Sequence, residues 1–233
     1  MAWQANSERR SQRSGWKALG KRVRSHFWPA ALSPGNAGSP FATHLPVLIG
    51  LSFAVRLRRV LELGAGVYST RLFLNRAVFP TLEVLHSYEN HHYWYNQVLP
   101  SVQQAPRATL TMCEGPMSTA VSSMSLEDYD LILIDDSQTL QERCHTIQAV
   151  ATSSKMIKLC VIHDYNNKEY RHAAKRFSCR FRLDALHPET GVCWRDGELT
   201  RAQLVGINNC LARHARSTAA GAIEEWLAAF RGA

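Results

Sequence analysis

An acidic residue and two glycines stand together in the segment Val60-Leu-Glu-Leu-Gly-Ala-Gly-Val-Tyr-Ser-Thr70. The order of an apolar run, a glycine turn and a helix start indicates a loop whose backbone can approach a ligand closely. Ser69 or Thr70 is suited to cap the helix. A dinucleotide-binding loop has the same glycine pattern, so the segment alone predicts a nucleotide-type ligand without choosing among such ligands.

The sign of the charge in this loop separates the candidate ligands. Glu62 stands two residues before Gly64, and a carboxylate that faces the loop would repel a pyrophosphate. It would attract a ligand with an ammonium and a sulfonium, because opposite charges ~4 Å apart are worth about 4 kcal/mol at an effective dielectric near 20. S-adenosylmethionine (SAM) carries these charges and NAD does not. The loop therefore favours SAM and disfavours an NAD-dependent reductase.

Three further strand ends carry polar residues that suit the same pocket. Glu89, with Asn90 beside it, ends the second strand and can accept hydrogen bonds from both hydroxyls of a ribose. An adenine edge would lie near residues 112–116, and Asp135 ends the fourth strand. The full set of cofactor-binding residues that we expect is Glu62, Gly64, Ala65, Gly66, Tyr68, Ser69, Thr70, Glu89, Asn90, Glu114, Gly115, Met117 and Asp135.

Short β-like runs alternate with longer helical stretches after residue 41. The pattern predicts strands at Arg59–Leu63, Glu83–Tyr88, Thr109–Cys113, Asp130–Ile134 and Lys158–His163. It predicts helices at Thr43–Arg56, Ser69–Phe79, His91–Gln104, Ser118–Met124, Leu140–Ser153 and Lys168–Phe177. The fourth and fifth strands are apolar on both faces, which requires helices on both sides of the sheet.

The end of the chain predicts how the sheet is completed. Arg180–Leu186 and Gly191–Arg195 are close in sequence and suggest an antiparallel hairpin at the sheet edge, followed by helices at Thr200–Ala215 and Ala219–Phe230. We therefore expect an α/β fold with a Rossmann-like, doubly wound, mostly parallel seven-stranded sheet, an antiparallel C-terminal hairpin and extra C-terminal helices. The last helices could form the face of a homodimer or cover the core.

The net charge of +8 is concentrated at the N-terminus. Residues 1–26 hold seven basic side chains against one acid, so the rest of the chain is close to neutral. Breaker-rich residues 29–40 predict a flexible basic leader and linker over 1–40 and one domain over 41–233. The leader could contact nucleic acid or an anionic surface, and its Arg/Ser-rich, acid-poor composition also resembles an organelle transit peptide.

The cysteines and the hydropathy of the chain bear on its location. Six scattered cysteines without metal-type spacing indicate free thiols in a reducing compartment, so we expect a cytoplasmic protein. No run reaches 18 apolar residues, so we expect no membrane span.

From about residue 41 to 195 the sequence resembles the class I SAM-dependent methyltransferases. The nearest subgroup is the set of small enzymes related to the catechol and macrolide O-methyltransferases. Val60–Thr70 resembles their first motif, Glu89 their ribose-binding acid, Asp130–Asp136 their fourth-strand motif and Val161–Tyr165 the end of their fifth strand. The resemblance implies SAM as the cofactor and a methyl acceptor as the partner.

The chain departs from the family pattern at four places. Val67-Tyr68 stands where the first motif often has a third glycine, and Pro116 stands where an acid commonly follows the third strand. Tyr165 replaces the Asn of metal-dependent relatives, and Gln138 replaces a His that often follows the fourth strand. Adenine recognition and metal binding therefore cannot be copied from the family.

Methyl transfer from a sulfonium is an in-line displacement, so alignment of the reactants dominates and the protein adds at most a base. His163 and Asp164 at the end of the fifth strand, with Asp136 or Asp135, are the catalytic candidates. Asp135 and Asp164 could also hold a divalent cation, although aspartates at a strand end as often cap helices, which is the favoured interpretation. His44 is a substrate-side candidate.

The leading hypothesis is SAM-dependent methyl transfer to an oxygen, or a nitrogen, of a small-molecule acceptor. One alternative is a nucleic-acid methyltransferase that uses the basic tail as an electrostatic handle. The other is a degenerate, non-catalytic binding protein with the same fold, an interpretation that Val67 and Pro116 keep open.

Overall fold

A computed structural model of the chain describes residues 42–136 and 139–214. The leader over 1–40, the helix expected at Ala219–Phe230 and Gln138 lie outside the described residues. The strands are β1 (Arg59–Leu63), β2 (Val84–Glu89), β3 (Ala108–Met112), β4 (Leu131–Ile134), β5 (Leu159–Ile162), β6 (Cys179–Leu183) and β7 (Thr190–Trp194). The helices are α1 (Leu45–Ala54), α2 (Ser69–Leu74), α3 (His92–Gln103), α4 (Met117–Val121), α5 (Leu140–Thr152), α6 (Lys168–Ala173) and α7 (Arg201–His214).

The strands form one seven-stranded sheet in the order β3-β2-β1-β4-β5-β7-β6. Strands β1 to β5 are parallel, and β7 is antiparallel to both of its neighbours, β5 and β6. The predicted fold class is confirmed. Chain order reverses between β1 and β4, and ligands of such sheets bind at the carboxyl ends of the strands at that point.

Alternate residues of the buried strands supply two separate apolar faces. Leu131 and Leu133 of β4 face a cluster that includes residues of α1, α2 and α7. Ile132 and Ile134 face the opposite cluster, which includes residues of α4, α5 and α6. Burial on both sides explains the fully apolar sequence of β4 and β5. Among the described helices, none is long and apolar enough to cross a membrane.

Two predicted helices are shorter than expected. The helix after β1 ends at Leu74 rather than Phe79, because Asn75 is extended and its side chain accepts a hydrogen bond from the amide of Ala77 at 2.9 Å. The helix after β5 ends at Ala173 and continues only as a 3₁₀ turn, Ala174–Arg176. These turns keep both segments close to the sheet.

The turn between β1 and α2 is held against the neighbouring strands. The amides of Gly64 and Ala65 both donate to the carbonyl of Tyr88, at 2.9 and 3.1 Å. Gly64 has φ +92°, and a Cβ there would lie 2.4 Å from backbone atoms of Asp135 and Asp136. Gly64 is therefore required by the contact between the ends of β1 and β4. At Gly66 a Cβ would meet only the Ser69 hydroxyl, at 3.7 Å.

We expect Gly64→Ala to destabilise the protein strongly and Gly66→Ala to have a smaller effect. A left-handed backbone costs a non-glycine residue roughly 1–2 kcal/mol, and the collision with the β4 backbone adds to that cost. Urea denaturation of the two variants measures the difference in the free energy of unfolding. Equal losses at the two positions would contradict the packing role of Gly64.

Candidate functional site

Glu62 lies at the end of β1, beneath the glycine turn, with no exposure to solvent. Its Oε2 accepts hydrogen bonds from the hydroxyls of Thr70 at 2.7 Å and Ser87 at 2.5 Å. Its Oε1 is buried and has no hydrogen-bond partner among the described residues. Burial raises the pKa of Glu62 to about 7, although the hydroxyls of Ser69, Ser87 and Thr70 oppose this shift.

The hydroxyl-bearing residues beside the glycine turn therefore contact Glu62 and do not cap helix α2. Tyr68 occupies the N-cap position of α2, and no side chain caps the helix. The expectation that Ser69 or Thr70 caps α2 is wrong, because Thr70 is fully buried and its hydroxyl donates to Glu62. The same hydroxyl accepts from the amide of Gly66 at 3.2 Å, which ties the turn to the carboxylate.

Glu89 ends β2 and is also buried. The amides of Asn90 and His91 both donate to its Oε1, at 2.9 and 2.7 Å. No described residue forms a hydrogen bond with its Oε2. Burial raises the pKa of Glu89 to about 7, and the charges of Asp136 and Asp135 raise it further, against the two amides.

These two carboxylates fit a cationic nucleoside. The unpartnered Oε1 of Glu62 can accept from an ammonium, and the Oε2 of Glu89 can accept from ribose hydroxyls. Each carboxylate raises the energy of charging the other, so the pocket disfavours a pyrophosphate and favours a ligand with net positive charge. The residues present therefore fit SAM.

The residues expected near an adenine divide into exposed and buried positions. Glu114 and Gly115 are exposed in the loop after β3. Met117 is buried at the start of α4, where its sulfur accepts a contact from the Cys113 thiol at 3.9 Å. Cys113 lies in the same loop, and its amide donates to the carbonyl of Glu89 at 2.8 Å. Cys113 and Met117 thus line the part of the loop nearest to Glu89.

The two aspartates after β4 point to different partners. Asp136 is buried, and its Oδ2 accepts from the Thr146 hydroxyl of α5 at 2.6 Å while its Oδ1 has no partner. Burial raises the pKa of Asp136 to about 6. The Oδ1 of Asp135 instead lies 3.0 Å from Nδ1 of His163. The structure therefore brings Asp135, and not the carboxylate of Asp136, to the predicted catalytic residues of β5.

Arg143 of α5 joins the ends of β4 and β5. Its side chain is nearly buried, and Nη1 lies 3.2 Å from Oδ1 of Asp135 and 2.8 Å from Oδ2 of Asp164. Its Nε donates to the carbonyl of Asp136 at 2.5 Å. Burial opposes the ionisation of Asp135, but the charges of His163 and Arg143 outweigh it and lower its pKa to about 2. The guanidinium of Arg143 thus lies between Asp135 and Asp164, the two residues predicted from the sequence as possible metal ligands. Their shared contact with this cation does not support a metal ion bound by the two aspartates.

His163 and Asp164 close the other side of this group. His163 is buried, and the charge of Asp135 raises its pKa against the effect of burial. Asp164 has φ +57°, a left-handed conformation that aspartate tolerates better than most residues. Its Oδ1 lies 3.8 Å from Nδ1 of His163. Tyr165 is buried against Gly191, where a Cβ would be 2.4 Å from its ring, so it takes no ligand role beside Asp164.

Two residues of this group were not predicted to be central to it. Arg143 was not a candidate, and His44 was only a substrate-side candidate. Arg143 occupies the buried stripe of α5 with Thr146, Ile147, Val150 and Ala151, and a charged residue on an apolar stripe was the available signal. His44 precedes α1 and is buried, with its ring centroid 4.6 Å from that of His163. The two histidines are far apart in sequence, and no local pattern predicts their contact.

Solved structures with a similar backbone include cofactor-bound Rv0187 from MTB, with 14% identity over 76% of this chain and 94% of that chain and a TM-score of 0.51. A candidate O-methyltransferase from Klebsiella pneumoniae has 16% identity over 78% and 95%, with a TM-score of 0.49. Human methyltransferase-like protein 13, in complex with SAH, has 18% identity over 77% and 89%, with a TM-score of 0.46. No protein-family model matches the sequence, and no curated protein matches it.

The chain has the fold of the class I SAM-dependent methyltransferases. Identities this low show the fold alone, and the acceptor is a separate question.

We expect the stability of the ligand-free protein to depend on pH through Glu62. Native Glu62 keeps its proton up to about pH 7, while an unfolded carboxyl loses it near 4.5. The native state then binds more protons between these values, so stability falls as pH rises from about 5 to 7, by at most about 1.4 kcal/mol per pH unit.

Urea denaturation of the wild type and Glu62→Gln between pH 5 and 8 isolates this contribution. As pH rises, the unfolding free energy of the wild type should fall relative to that of Glu62→Gln. Glu83→Gln is the control, because the exposed Glu83 pairs with Arg58 and that pairing lowers its pKa. If the unfolding free energies of the wild type and Glu62→Gln change in parallel with pH, native Glu62 does not retain a proton.

Proposed function

We propose that the protein transfers a methyl group from SAM to an oxygen, or a nitrogen, of a small-molecule acceptor. The observation that carries this proposal is the buried Oε1 of Glu62, which has no hydrogen-bond partner among the described residues and lies at the sheet edge where such folds bind ligands. A buried acceptor atom without a partner costs about 1–3 kcal/mol, and the ammonium of SAM would offset that cost. O-methyl transfer, a homodimer and a cytoplasmic location remain predictions.

The proposed binding mode assigns one task to each buried carboxylate. SAM would supply a methyl group already activated on a sulfonium. Glu62 would accept from the ammonium, and Oε2 of Glu89 would accept from the ribose. The hydroxyls of Thr70 and Ser87 hold Glu62 in place, and the amides of Asn90 and His91 hold Glu89, so neither side chain must reorganise on binding.

The proposed acceptor side is the group at the ends of β4 and β5. Asp164 is its most accessible carboxylate, with 36% of the side chain exposed, and Arg143 fixes its Oδ2. Its Oδ1 would accept a hydrogen bond from the incoming hydroxyl or amine and take its proton as the methyl group arrives. His163 and Asp135 would position Asp164 through the contacts that surround it. Orientation of the two reactants would supply most of the rate, as expected for an in-line displacement.

We expect isothermal titration with S-adenosylhomocysteine to show saturable binding that depends on Glu62. Glu62→Gln removes the charge that would face the ammonium, and a lost charge-assisted hydrogen bond of about 1.5–3 kcal/mol weakens affinity roughly ten- to hundredfold. In the wild type, affinity should fall as pH drops from 7.5 to 6, because Glu62 and Glu89 become protonated.

Glu83→Gln again serves as the control, since Glu83 is exposed and lies just before the opposite end of β2. It should bind S-adenosylhomocysteine as the wild type does. No binding at millimolar S-adenosylhomocysteine or SAM would overturn the proposal and favour the non-catalytic alternative. Normal binding by Glu62→Gln would overturn the assigned role of Glu62.

We expect Asp164→Asn to lose turnover while it still binds S-adenosylhomocysteine. The amide keeps the left-handed backbone but cannot take a proton, and such a base contributes about 10²- to 10⁴-fold. Release of S-adenosylhomocysteine from SAM with a panel of phenols, catechols, sugars and amines identifies an acceptor and measures kcat. His145→Ala, on the exposed face of α5, is the control. Full turnover by both Asp164→Asn and His163→Ala would remove this acceptor-side assignment.

A further inference from the structure

The hydrogen bonds around His163 determine where its protons lie. The Thr43 hydroxyl has one proton, and it donates that proton to the carbonyl of Pro188 at 2.8 Å. Thr43 Oγ1 also lies 3.1 Å from Nε2 of His163, and in that contact the oxygen must accept. Nε2 of His163 therefore carries a proton, and a neutral His163 presents a lone pair at Nδ1.

That lone pair faces a carboxylate. Nδ1 of His163 lies 3.0 Å from Oδ1 of Asp135, and two lone pairs at this distance repel each other. A positive species is needed beside them, either a second proton on His163 or a metal ion that binds Nδ1 and the Asp135 carboxylate. The two possibilities differ in whether the neighbouring His44 gains a binding partner.

The surroundings of His44 distinguish a second proton on His163 from a metal ion. It is 1% exposed, and neither of its ring nitrogens has a hydrogen-bond partner among the described residues. A neutral imidazole has a lone pair on one of its two nitrogens, so the His44 ring can bind a metal ion. A proton on His163 leaves His44 without a partner, whereas a metal ion would bind it.

We propose that His44, Asp135 and His163 bind a divalent transition-metal ion through two imidazole nitrogens and one carboxylate oxygen. Among the described residues, these three form the one group of histidine, cysteine and acidic side chains with metal-binding spacing, and their ligand atoms lie within 4.8 Å of one another. Imidazole nitrogen suits zinc, iron, cobalt and nickel, whereas magnesium prefers oxygen alone.

The geometry requires only a small closure around the ion. Zinc–nitrogen bonds of about 2.0–2.1 Å place tetrahedral ligand atoms about 3.4 Å apart. Nδ1 of His44 is already 4.0 Å from Oδ2 of Asp135, and no described residue forms a hydrogen bond that holds the His44 ring in its present rotamer. Arg143 contacts the other oxygen, Oδ1, so Oδ2 is the atom left for the ion.

Charge and the hydrogen bonds around the proposed ligands also favour a cation at this place. Asp135 and Asp164 share one guanidinium, so one negative charge remains when both histidines are neutral. Thr43 orients His163 through the nitrogen that faces away from the ion, as metal-bound histidines usually require. Three protein ligands leave a fourth position open on the ion.

Zinc binding to the metal-free full-length protein tests the proposal. Titration with zinc chloride, followed by calorimetry and elemental analysis after dialysis, should give one tightly held ion per chain and a rise in Tm. His44→Gln and Asp135→Asn should each weaken zinc affinity at least about tenfold, and Thr43→Val about 10- to 100-fold. His145→Ala and Thr81→Val are the controls, because His145 is exposed and the Thr81 hydroxyl donates to Leu57, away from this group.

Cobalt(II) substitution provides a readout that folding defects do not mimic. The bound cobalt should absorb in the visible range without a thiolate charge-transfer band, since the six free cysteines are not ligands in the proposal. Variants that fold normally without metal yet lose the cobalt spectrum support the site. Zinc affinity unchanged in His44→Gln and Asp135→Asn, a thiolate band, or magnesium bound as tightly as zinc would overturn it.

The absence of tight zinc binding would also overturn the proposal and leave the imidazolium of His163 as the positive species. This outcome is independent of the proposed methyltransferase activity, because the zinc titration uses neither SAM nor an acceptor. Conversely, zinc binding with no affinity for S-adenosylhomocysteine would reject the proposed function and retain the metal site.

Discussion

Five carboxylates converge on one edge of the sheet, and the cost of keeping them there constrains the rest of the site. Parallel strands end on the same side, so residues at the carboxyl ends of β1, β2, β4 and β5 must meet there. Glu62, Glu89, Asp135, Asp136 and Asp164 are the five. Arg143 forms ion pairs with Asp135 and Asp164, and burial raises the pKa of the other three. An edge of this kind gains stability from any cation that binds to it.

The two halves of the edge meet this constraint in different ways. Around Glu62 the neighbours are neutral hydroxyls, which hold the carboxylate in place but leave it close to protonation at neutral pH. Around Asp135 the neighbours are Arg143 and His163, which keep the carboxylate ionised. The first half is thus suited to a cationic ligand that arrives and leaves. The second is suited to a permanent charge, whether a proton on His163 or a bound metal ion.

The sequence was sufficient for the order, direction and burial of the central strands. The apolar runs at Leu131–Ile134 and Leu159–Ile162 predicted central parallel strands, because only strands covered on both faces have such sequences. Glu62 and Glu89 could be assigned to one pocket because each ends a strand. The exact roles of Ser69, Thr70 and Ser87 could not, since a hydroxyl beside a turn caps a helix as readily as it contacts a distant carboxylate.

The remaining parts of the site arise from contacts between segments far apart in sequence. His44 lies close to Asp135, Thr43 bonds to Pro188, and Arg143 contacts both strand ends from the buried side of α5. None of these pairs has a characteristic spacing, so they follow only from the three-dimensional packing. The coupling between the halves has the same origin: the charge of Asp135 raises the pKa of Glu89, although the two residues belong to different strands. A cation at Asp135 would therefore favour the ionised form of Glu89 that the proposed ribose contact uses, and the two proposed sites would assist each other through charge alone.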